Sequence, residues 1–220
     1  MFTLFAAPGS CSRVPLITLE EAGADYKLEL VRFMQGAHKQ PDYLALNPKG
    51  KVPCLVTETG PITENVAIAL FLASQFDGLL PKASSARDAV LITADLAFCS
   101  ATLHPIVSRM RVPMFMVEGP EATASVKAKA IEAMHPMAAV VETALDGKDW
   151  WFGDTWSILD AYIYWVFFRI NGGGFPTDQY PNWAAHAKRM DARPAVRRAL
   201  AKEADMQAAL EAEGLAPKMG

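Results

Sequence analysis

The chain has little cysteine, little net charge and no long unbroken apolar run. Only three cysteines, Cys11, Cys54 and Cys99, occur in 220 residues. Their odd number and irregular spacing fit neither a disulfide framework nor a zinc module. An odd cysteine count is also typical of a reducing compartment. We therefore expect no structural disulfide and no bound metal.

The balance of charge and the apolar segments exclude further classes. The formal net charge is −3 at pH 7, whereas a general nucleic-acid surface needs a basic stripe. The N-terminal apolar stretch lacks a basic region and is broken by Pro8-Gly9, so no signal peptide is predicted. The apolar stretch 158–170 contains two charges and is too short to span a bilayer. We expect a cytoplasmic protein without a nucleic-acid or membrane partner.

The first distinctive feature is a turn that carries a cysteine. The apolar run 2–6 predicts a buried strand, Pro8-Gly9 ends it, and helical spacing begins after Pro15. Cys11 therefore lies where a strand leads into a helix N-terminus, and the helix dipole there favours a thiolate. A small, buried and inert cysteine in a tight turn is the alternative. The turn alone favours neither.

The second feature is the loop 47–53, which precedes the apolar run 54–56. Its two prolines and its glycine predict a rigid loop before a strand. Val52-Pro53 is a candidate cis bond, because only X-Pro bonds populate cis appreciably. A cis turn would leave the backbone of Val52 available to pair with an extended peptide. A trans loop without a ligand is equally compatible with the motif.

The third feature is the helix start at Thr63-Glu64-Asn65. Thr63 or Asn65 is predicted to cap the helix, whose N-terminus is a ready anion site. Glu64 could bind a ligand ammonium group. Simple capping and dipole compensation by Glu64 and Asn65 is the alternative, and the pattern alone favours it.

Strand signals end near residue 78, and helical periodicity follows. Long helices are predicted over 86–110 and 121–145, kinked at Pro105 and Pro136. Later, Ser157 and Asp160 have the spacing of a capping pair, so we assign them a structural role. Two more helices are predicted over 182–190 and 195–210.

This order of elements resembles the cytosolic glutathione transferases over nearly the whole chain. The resemblance implies an α/β domain and an all-α domain: a thioredoxin-like, glutathione-binding domain (1–78), a linker (79–85) and a helical-bundle domain (86–220) that carries the wall of the electrophile site. The cysteine-containing turn, with Leu103-His104-Pro105, is most similar to the bacterial beta class. Five stretches carry the resemblance: Ala7-Pro-Gly-Ser-Cys-Ser12, Asn47-Pro-Lys-Gly-Lys-Val-Pro53, Thr63-Glu64-Asn65, Ser157-Ile-Leu-Asp-Ala-Tyr162 and Ala192-Arg-Pro-Ala-Val196.

The resemblance implies a mode of glutathione binding. Val52, ahead of Pro53, would pair its backbone with the cysteinyl portion of the tripeptide. Glu64 and Asn65 would hold the γ-glutamyl ammonium and carboxylate. Beta-class chains often have glutamine at the position of Lys51, and a lysine there would favour the anionic glycyl end.

The resemblance also implies catalytic residues. Cys11 would face the glutathione sulfur, by a hydrogen bond or a mixed disulfide, and His104 would reach toward the same sulfur. If Cys11 does not act, Ser12 or Ser10 could be the hydroxyl donor. For His104, a core histidine beside a helix kink is the alternative. Arg13 stands where the family usually has an apolar residue and would add positive charge beside Cys11.

The implied function is that of a glutathione S-transferase. It would activate the glutathione thiolate for detoxifying conjugation to electrophilic small molecules, or for thiol–disulfide exchange. A glutathione-dependent isomerase or reductive lyase of a catabolic substrate, and a non-enzymatic binding protein on the same fold, are the alternatives. A homodimer is expected, although Ala97 and Ala101 leave cross-subunit glutathione contacts open. The predicted electrophile pocket lies between the domains, lined by the first turn, Met110, Val112–Phe115 and Trp165 or Phe168.

Overall fold

The computed structural model describes residues 1–216, which form two compact units. The first unit contains Met1–Leu79 together with the chain from Ala192 onward, and the second contains Leu80–Asp191. The N-terminal segment of the first unit therefore ends where the composition changes. The last helix packs with this unit, whereas the sequence groups it with the helical domain.

A four-stranded mixed sheet forms the centre of the first unit. The strands have the order β2-β1-β3-β4; β1 and β2 are parallel, and the other two pairs are antiparallel. Leu4 on β1 lies opposite Leu55 on β3, and both side chains are fully buried. The strands are β1 (Phe2–Ala6), β2 (Tyr26–Leu30), β3 (Cys54–Thr57) and β4 (Gly60–Thr63).

Three helices complete the N-terminal segment: α1 (Arg13–Glu21), α2 (Pro41–Leu46) and α3 (Asn65–Gln75). The apolar side chains of α1 are its anchor, since Leu16, Ile17 and Leu19 are fully buried. The order β-α-β-α-β-β-α is the predicted thioredoxin-like one. This part of the fold prediction is confirmed.

The second unit is all-helical in its described residues, as predicted. Its helices are α4 (Ala86–Ala97), α5 (His104–Arg111), α6 (Pro120–Ala144), α7 (Ile158–Asn171) and α8 (Pro181–Ala192), and α9 (Pro194–Ala212) returns to the first unit. A π-helical segment, Phe98–Leu103, joins α4 to α5 just before Pro105. Proline has no N–H to donate, so a change of helix type is a physical response to it. Pro136 lies inside α6.

The helical stretch Ala86–Arg111 is long and apolar enough to cross a membrane, judged by length and composition only. Core helices of globular proteins can have the same character. Within this stretch, Asp95 accepts a hydrogen bond from the indole N–H of Trp151 at 3.0 Å. The stretch therefore has a polar packing partner within its own unit.

A capping box begins α7. The Ser157 N–H donates to Asp160 Oδ2 at 2.8 Å. In return, the Ser157 side chain accepts from the backbone N–H of Asp160. Asp160 Oδ1 also accepts from the Trp151 N–H at 2.8 Å and lies 3.0 Å from Nε2 of His186. Asp160 and His186 are fully buried. Asp160 therefore joins the start of α7 to α8, which is a structural role.

Ion pairs join α9 to α1 within the first unit. Glu20 accepts hydrogen bonds from Arg198, Lys202 and Tyr26, at 2.7, 2.5 and 2.6 Å. Glu21 pairs with Arg193 through both carboxylate oxygens. Burial alone would raise the pKa of Glu20, but the hydrogen bonds from Lys202, Tyr26 and Arg198 outweigh burial and lower that pKa. Glu20 is therefore most favourable to the fold when ionised.

We predict that Glu20→Gln destabilises the protein in a pH-dependent way. Because the folded pKa of Glu20 is depressed, its contribution is present above the unfolded value of about 4.3 and is lost as the pH falls through the folded value. Urea unfolding at pH 7 should show a loss of about 1 kcal/mol, since Arg198 and Lys202 are partly exposed. At pH 3.5 the loss should shrink. Glu211→Gln, an exposed change on α9, is the control, and an equal loss at both pH values would contradict the prediction.

Candidate active site

The turn before α1 is held by its own backbone and hydroxyl groups. Gly9 has φ +69°, in the left-handed region that favours glycine. The Ser10 N–H and hydroxyl both donate to the carbonyl of Ala7, at 3.2 and 2.7 Å. Cys11 follows on this braced turn with a half-buried side chain.

Ser12 belongs to the internal bracing of the turn. Its side chain is 1% exposed, its oxygen accepts from the Ala7 N–H at 3.2 Å, and it lies 2.6 Å from the hydroxyl of Ser10. Although Ser12 is the N-cap residue of α1, its side chain makes no capping bond. Its role as an alternative hydroxyl donor stays a prediction, and its described contacts are all structural.

The loop before β3 brings Val52 to the cysteine. The Val52-Pro53 peptide bond is cis, which is one of the two isomers that the sequence pattern left open. The Cys11 thiol donates to the carbonyl oxygen of Val52 at 3.5 Å. Two segments 41 residues apart therefore meet at the sulfur, which lies beside the backbone that was predicted to pair with a peptide.

Two hydrogen bonds fix the backbone of the same loop at Lys51. The carbonyl of Lys51 accepts from the Tyr43 hydroxyl and from the side-chain amide of Asn47, both at 2.6 Å. Burial, together with the neighbouring Cys54, raises the pKa of Tyr43 to about 12, so its hydroxyl remains a donor at neutral pH. A side chain at Gly50 would place Cβ 2.8 Å from the carbonyl oxygen of His38. The side chain of Lys51 is exposed.

The start of α3 differs from the sequence prediction. Glu64, not Thr63 or Asn65, is the N-cap residue, and it makes no side-chain capping bond. Its backbone has φ 74° and ψ 129°, a strained conformation for a residue other than glycine. Asn65 instead turns its side-chain amide to the carbonyl oxygen of Cys11, at 3.3 Å. The prediction of a Thr63 or Asn65 cap is wrong because Asn65 already lies inside the helix.

Asn65 also presents an unmet acceptor. Its side chain is 7% exposed, and its Oδ1 is buried with no hydrogen-bond partner among the described residues. A buried acceptor without a partner costs about 1–3 kcal/mol. A ligand that donates a hydrogen bond here, next to Cys11, would recover that free energy.

Glu64 carries an exchangeable ion pair. Its Oε1 lies 2.6 Å from Nζ of Lys49, with the two side chains 68% and 46% exposed. Exposed ion pairs of this kind contribute about 0–1 kcal/mol. The carboxylate can therefore exchange Lys49 for the ammonium group of a ligand at little cost. Lys49 lies in the loop 47–53, and the sequence predicts no role for its side chain.

His104 belongs to the second unit, where it is the first residue of α5. Its Nδ1 lies 3.1 Å from the hydroxyl of Tyr162, and its ring packs edge-on against Trp165 with 4.5 Å between centroids. Of the side chains proposed for the electrophile wall, Met110 and Trp165 are each 2% exposed, while Phe115 is 83% exposed.

Arg13 does not stand beside Cys11 as an unbalanced charge. Its Nε and Nη2 donate to Glu203 Oε2 at 2.9 and 2.6 Å, and both side chains are buried. The expected positive charge is therefore offset by a carboxylate 190 residues away. No local sequence pattern points to Glu203 as the partner.

The other two cysteines are shielded from solvent. Burial raises the pKa of the Cys54 and Cys99 thiols, and both side chains are fully buried. Residues 1–216 contain no group of three or more histidine, cysteine or acidic side chains that could hold a metal ion. Cys11 is therefore the cysteine that the fold presents for chemistry.

Comparison with known proteins gives consistent matches for both parts of the chain. The N-terminal domain model of glutathione S-transferases matches residues 1–74, and the C-terminal domain model matches residues 121–189. The glutathione S-transferase GST-4.5 of Xanthomonas campestris is 30% identical over 214 residues, covering 96% of this chain and 98% of that protein.

Solved structures agree with the sequence matches. A bacterial beta class glutathione S-transferase from Sphingomonas chungbukensis superposes with a TM-score of 0.79 at 30% identity, covering 91% of this chain and 98% of that one. A sphingomonad glutathione S-transferase complexed with glutathione also has a TM-score of 0.79, at 32% identity, with 92% and 98% coverage.

We predict that one thiol per chain reacts in the native protein. With Ellman's reagent at pH 7.5, wild type should release about one equivalent quickly, because thiolates are the reactive form and Cys54 and Cys99 stay buried and protonated. Cys11→Ala should release none until it is unfolded, and then two. A fast equivalent from native Cys11→Ala would contradict the prediction.

Proposed function

The chain belongs to the glutathione S-transferase family, and we propose that its first unit binds glutathione with the sulfur beside Cys11. It is a glutathione transferase that uses glutathione as co-substrate. The observation that carries the proposed site is the meeting of Cys11 with Val52 and Asn65, through hydrogen bonds of 3.5 and 3.3 Å. These three residues come from three separate segments of the chain.

The middle of the tripeptide pairs with Val52. This residue precedes β3, whose register with β1 begins at Cys54, so an extended peptide can run alongside its backbone. The Cys11 thiol already lies against the Val52 carbonyl. A cysteinyl residue paired with Val52 would therefore place its own sulfur close to Cys11.

The γ-glutamyl end binds at the start of α3. Its ammonium replaces Lys49 on the carboxylate of Glu64 and satisfies the buried oxygen of Asn65. Its carboxylate lies at the N-terminus of α3, where backbone N–H groups and the helix dipole favour an anion. Lys51, with its exposed side chain, attracts the glycyl carboxylate.

The chemistry follows from holding the bound thiol as a thiolate. Lowering a thiol pKa by two units requires about 2.7 kcal/mol of stabilisation of the thiolate relative to the thiol. The nearby helix N-terminus and hydrogen-bond donors together stabilise a thiolate by a free energy of that order. In conjugation, the thiolate forms a carbon–sulfur bond with the electrophile, and a leaving group departs with its electron pair. In exchange, a Cys11 thiolate attacks one sulfur of a glutathione-containing disulfide. A disulfide bond to Cys11 forms, the original disulfide bond breaks, and the second sulfur leaves as a thiolate.

The half-buried thiol of Cys11 supports thiol–disulfide exchange as a second activity of the same site. Isomerisation or reductive cleavage of a catabolic substrate would use the same bound thiolate with a different acceptor. The role of His104 and a homodimer remain expectations from the family. A cytoplasmic location remains the expectation from the composition of the chain. Calorimetry distinguishes the proposed enzyme from a non-enzymatic binding protein on the same fold. If glutathione at millimolar concentration gives no binding heat, the proposed function is overturned.

We predict that Cys11→Ala separates the two activities. Exchange needs the Cys11 sulfur and should become undetectable, since alanine cannot form the mixed disulfide. Conjugation should continue within about tenfold of wild type, because the attacking sulfur is that of glutathione. Activities are measured with a chromogenic aryl halide and with a glutathione mixed disulfide, after calorimetry has shown that glutathione still binds. Loss of both activities with intact binding would contradict the division.

We predict that Glu64→Gln weakens glutathione binding by about tenfold, or about 1.4 kcal/mol. The variant loses the carboxylate that receives the ligand ammonium but retains the side-chain shape. Glu58→Gln, which alters an exposed carboxylate of the same unit, should leave the dissociation constant unchanged. N-acetylated glutathione, which lacks the ammonium group, should bind wild type and Glu64→Gln alike. Equal weakening of both ligands would refute this assignment of Glu64.

A further inference from the structure

The buried ion pair between α1 and α9 lies next to the candidate site in the chain. Arg13 is the first residue of α1 and comes two residues after Cys11. Its guanidinium directs two N–H groups at one oxygen of Glu203, and both side chains are 6% exposed. The function proposed above does not use this pair.

The pair is poorly built as a stabilising contact. Two buried charges lose their hydration, and an apolar pair of similar size often stabilises as well or better. Here both donors converge on Glu203 Oε2, while the buried Oε1 has no partner in the described part of the chain. A role in placing a neighbouring group accounts for this arrangement better than a contribution to stability does.

The backbone of Arg13 is part of the turn that carries the cysteine. The Arg13 N–H donates to the carbonyl of Ser10 at 3.1 Å, and the next N–H, from Val14, donates to the carbonyl of Cys11 at 3.2 Å. Holding the Arg13 side chain to α9 therefore restrains the residues on either side of Cys11. A shift of Arg13 would be passed directly to the thiol.

Docking of α9 does not depend on this pair alone. Glu20 and Glu21, about two turns further along α1, pair with Arg193, Arg198 and Lys202 of the C-terminal segment. These contacts can hold α9 in place when the carboxylate of Glu203 is removed. The effects of docking and of positioning are therefore experimentally separable.

We propose that Glu203 is a positioning residue: acting through Arg13, it holds the Cys11 thiol against the carbonyl of Val52. The C-terminal helix thereby becomes part of the active-site framework. The predicted loss of disulfide-exchange activity rests on the proposed function. The predicted change in the alkylation rate of Cys11 does not, because it needs only the thiol.

The test compares Glu203→Gln with Glu211→Gln, an exposed change on the same helix. A loosened turn exposes the thiol, so iodoacetamide should alkylate Cys11 of folded Glu203→Gln about tenfold faster than wild type. Glutathione-dependent disulfide exchange should fall in kcat by about tenfold, because small misplacements of reacting groups carry large penalties. KM for glutathione should change by less than about twofold, because Glu64 and Asn65 are intact. Glu211→Gln should match wild type in each measurement.

A lower urea midpoint with wild-type alkylation and wild-type kcat would make the pair purely structural and overturn the proposal. If Glu203→Gln does not fold, the double variant Arg13→Met/Glu203→Met removes both buried charges and keeps the volume. This folded variant should also show fast alkylation, and a wild-type rate would overturn the proposal. If wild type itself lacks glutathione turnover, the proposed function fails while the alkylation result still decides the role of Glu203.

Discussion

The site depends on one junction, in which Cys11 meets the carbonyl of Val52 while its own carbonyl receives the amide of Asn65. Neither bond is strong, since a thiol is a weak donor and the second bond is 3.3 Å long. Their importance is geometric. They bring the turn before α1, the loop before β3 and the start of α3 to one place, so each segment can contribute a different kind of group to a single ligand.

The surrounding fold makes that junction reproducible. Pairing of β1 with β3 sets the cysteine turn and the cis-proline loop at neighbouring positions of one sheet. Tyr43 and Asn47 then fix the carbonyl just before Val52, and the raised pKa of Tyr43 keeps its proton available for this bond. The site is thus carried by a rigid sheet and loop, which limits the ordering that a ligand must induce on binding.

Local patterns were sufficient to predict the thioredoxin-like order of elements and the cysteine turn, because each depends on neighbours in sequence. They identified Val52-Pro53 as a candidate cis bond but did not decide between cis and trans. The cap of α3 was predicted wrongly: the preference of threonine and asparagine for N-caps gave way to the tertiary bond between Asn65 and Cys11. Sequence patterns also could not identify the ion-pair partners of Arg13 and Glu64. Glu203 is 190 residues from Arg13, and ion pairs at such separations leave no periodic signal.

Two ion pairs near the site show how burial divides similar chemistry into different roles. Lys49 and Glu64 meet in solvent, so water screens their attraction and a ligand cation can replace the lysine. Arg13 and Glu203 meet out of solvent, where separating them would strand two charges, so their contact persists whether or not a ligand is bound. The first pair is suited to exchange and the second to restraint. Glu64 precedes Asn65, which bonds to Cys11, and Arg13 lies two residues after Cys11. Ligand recognition can therefore change while the geometry of Cys11 does not.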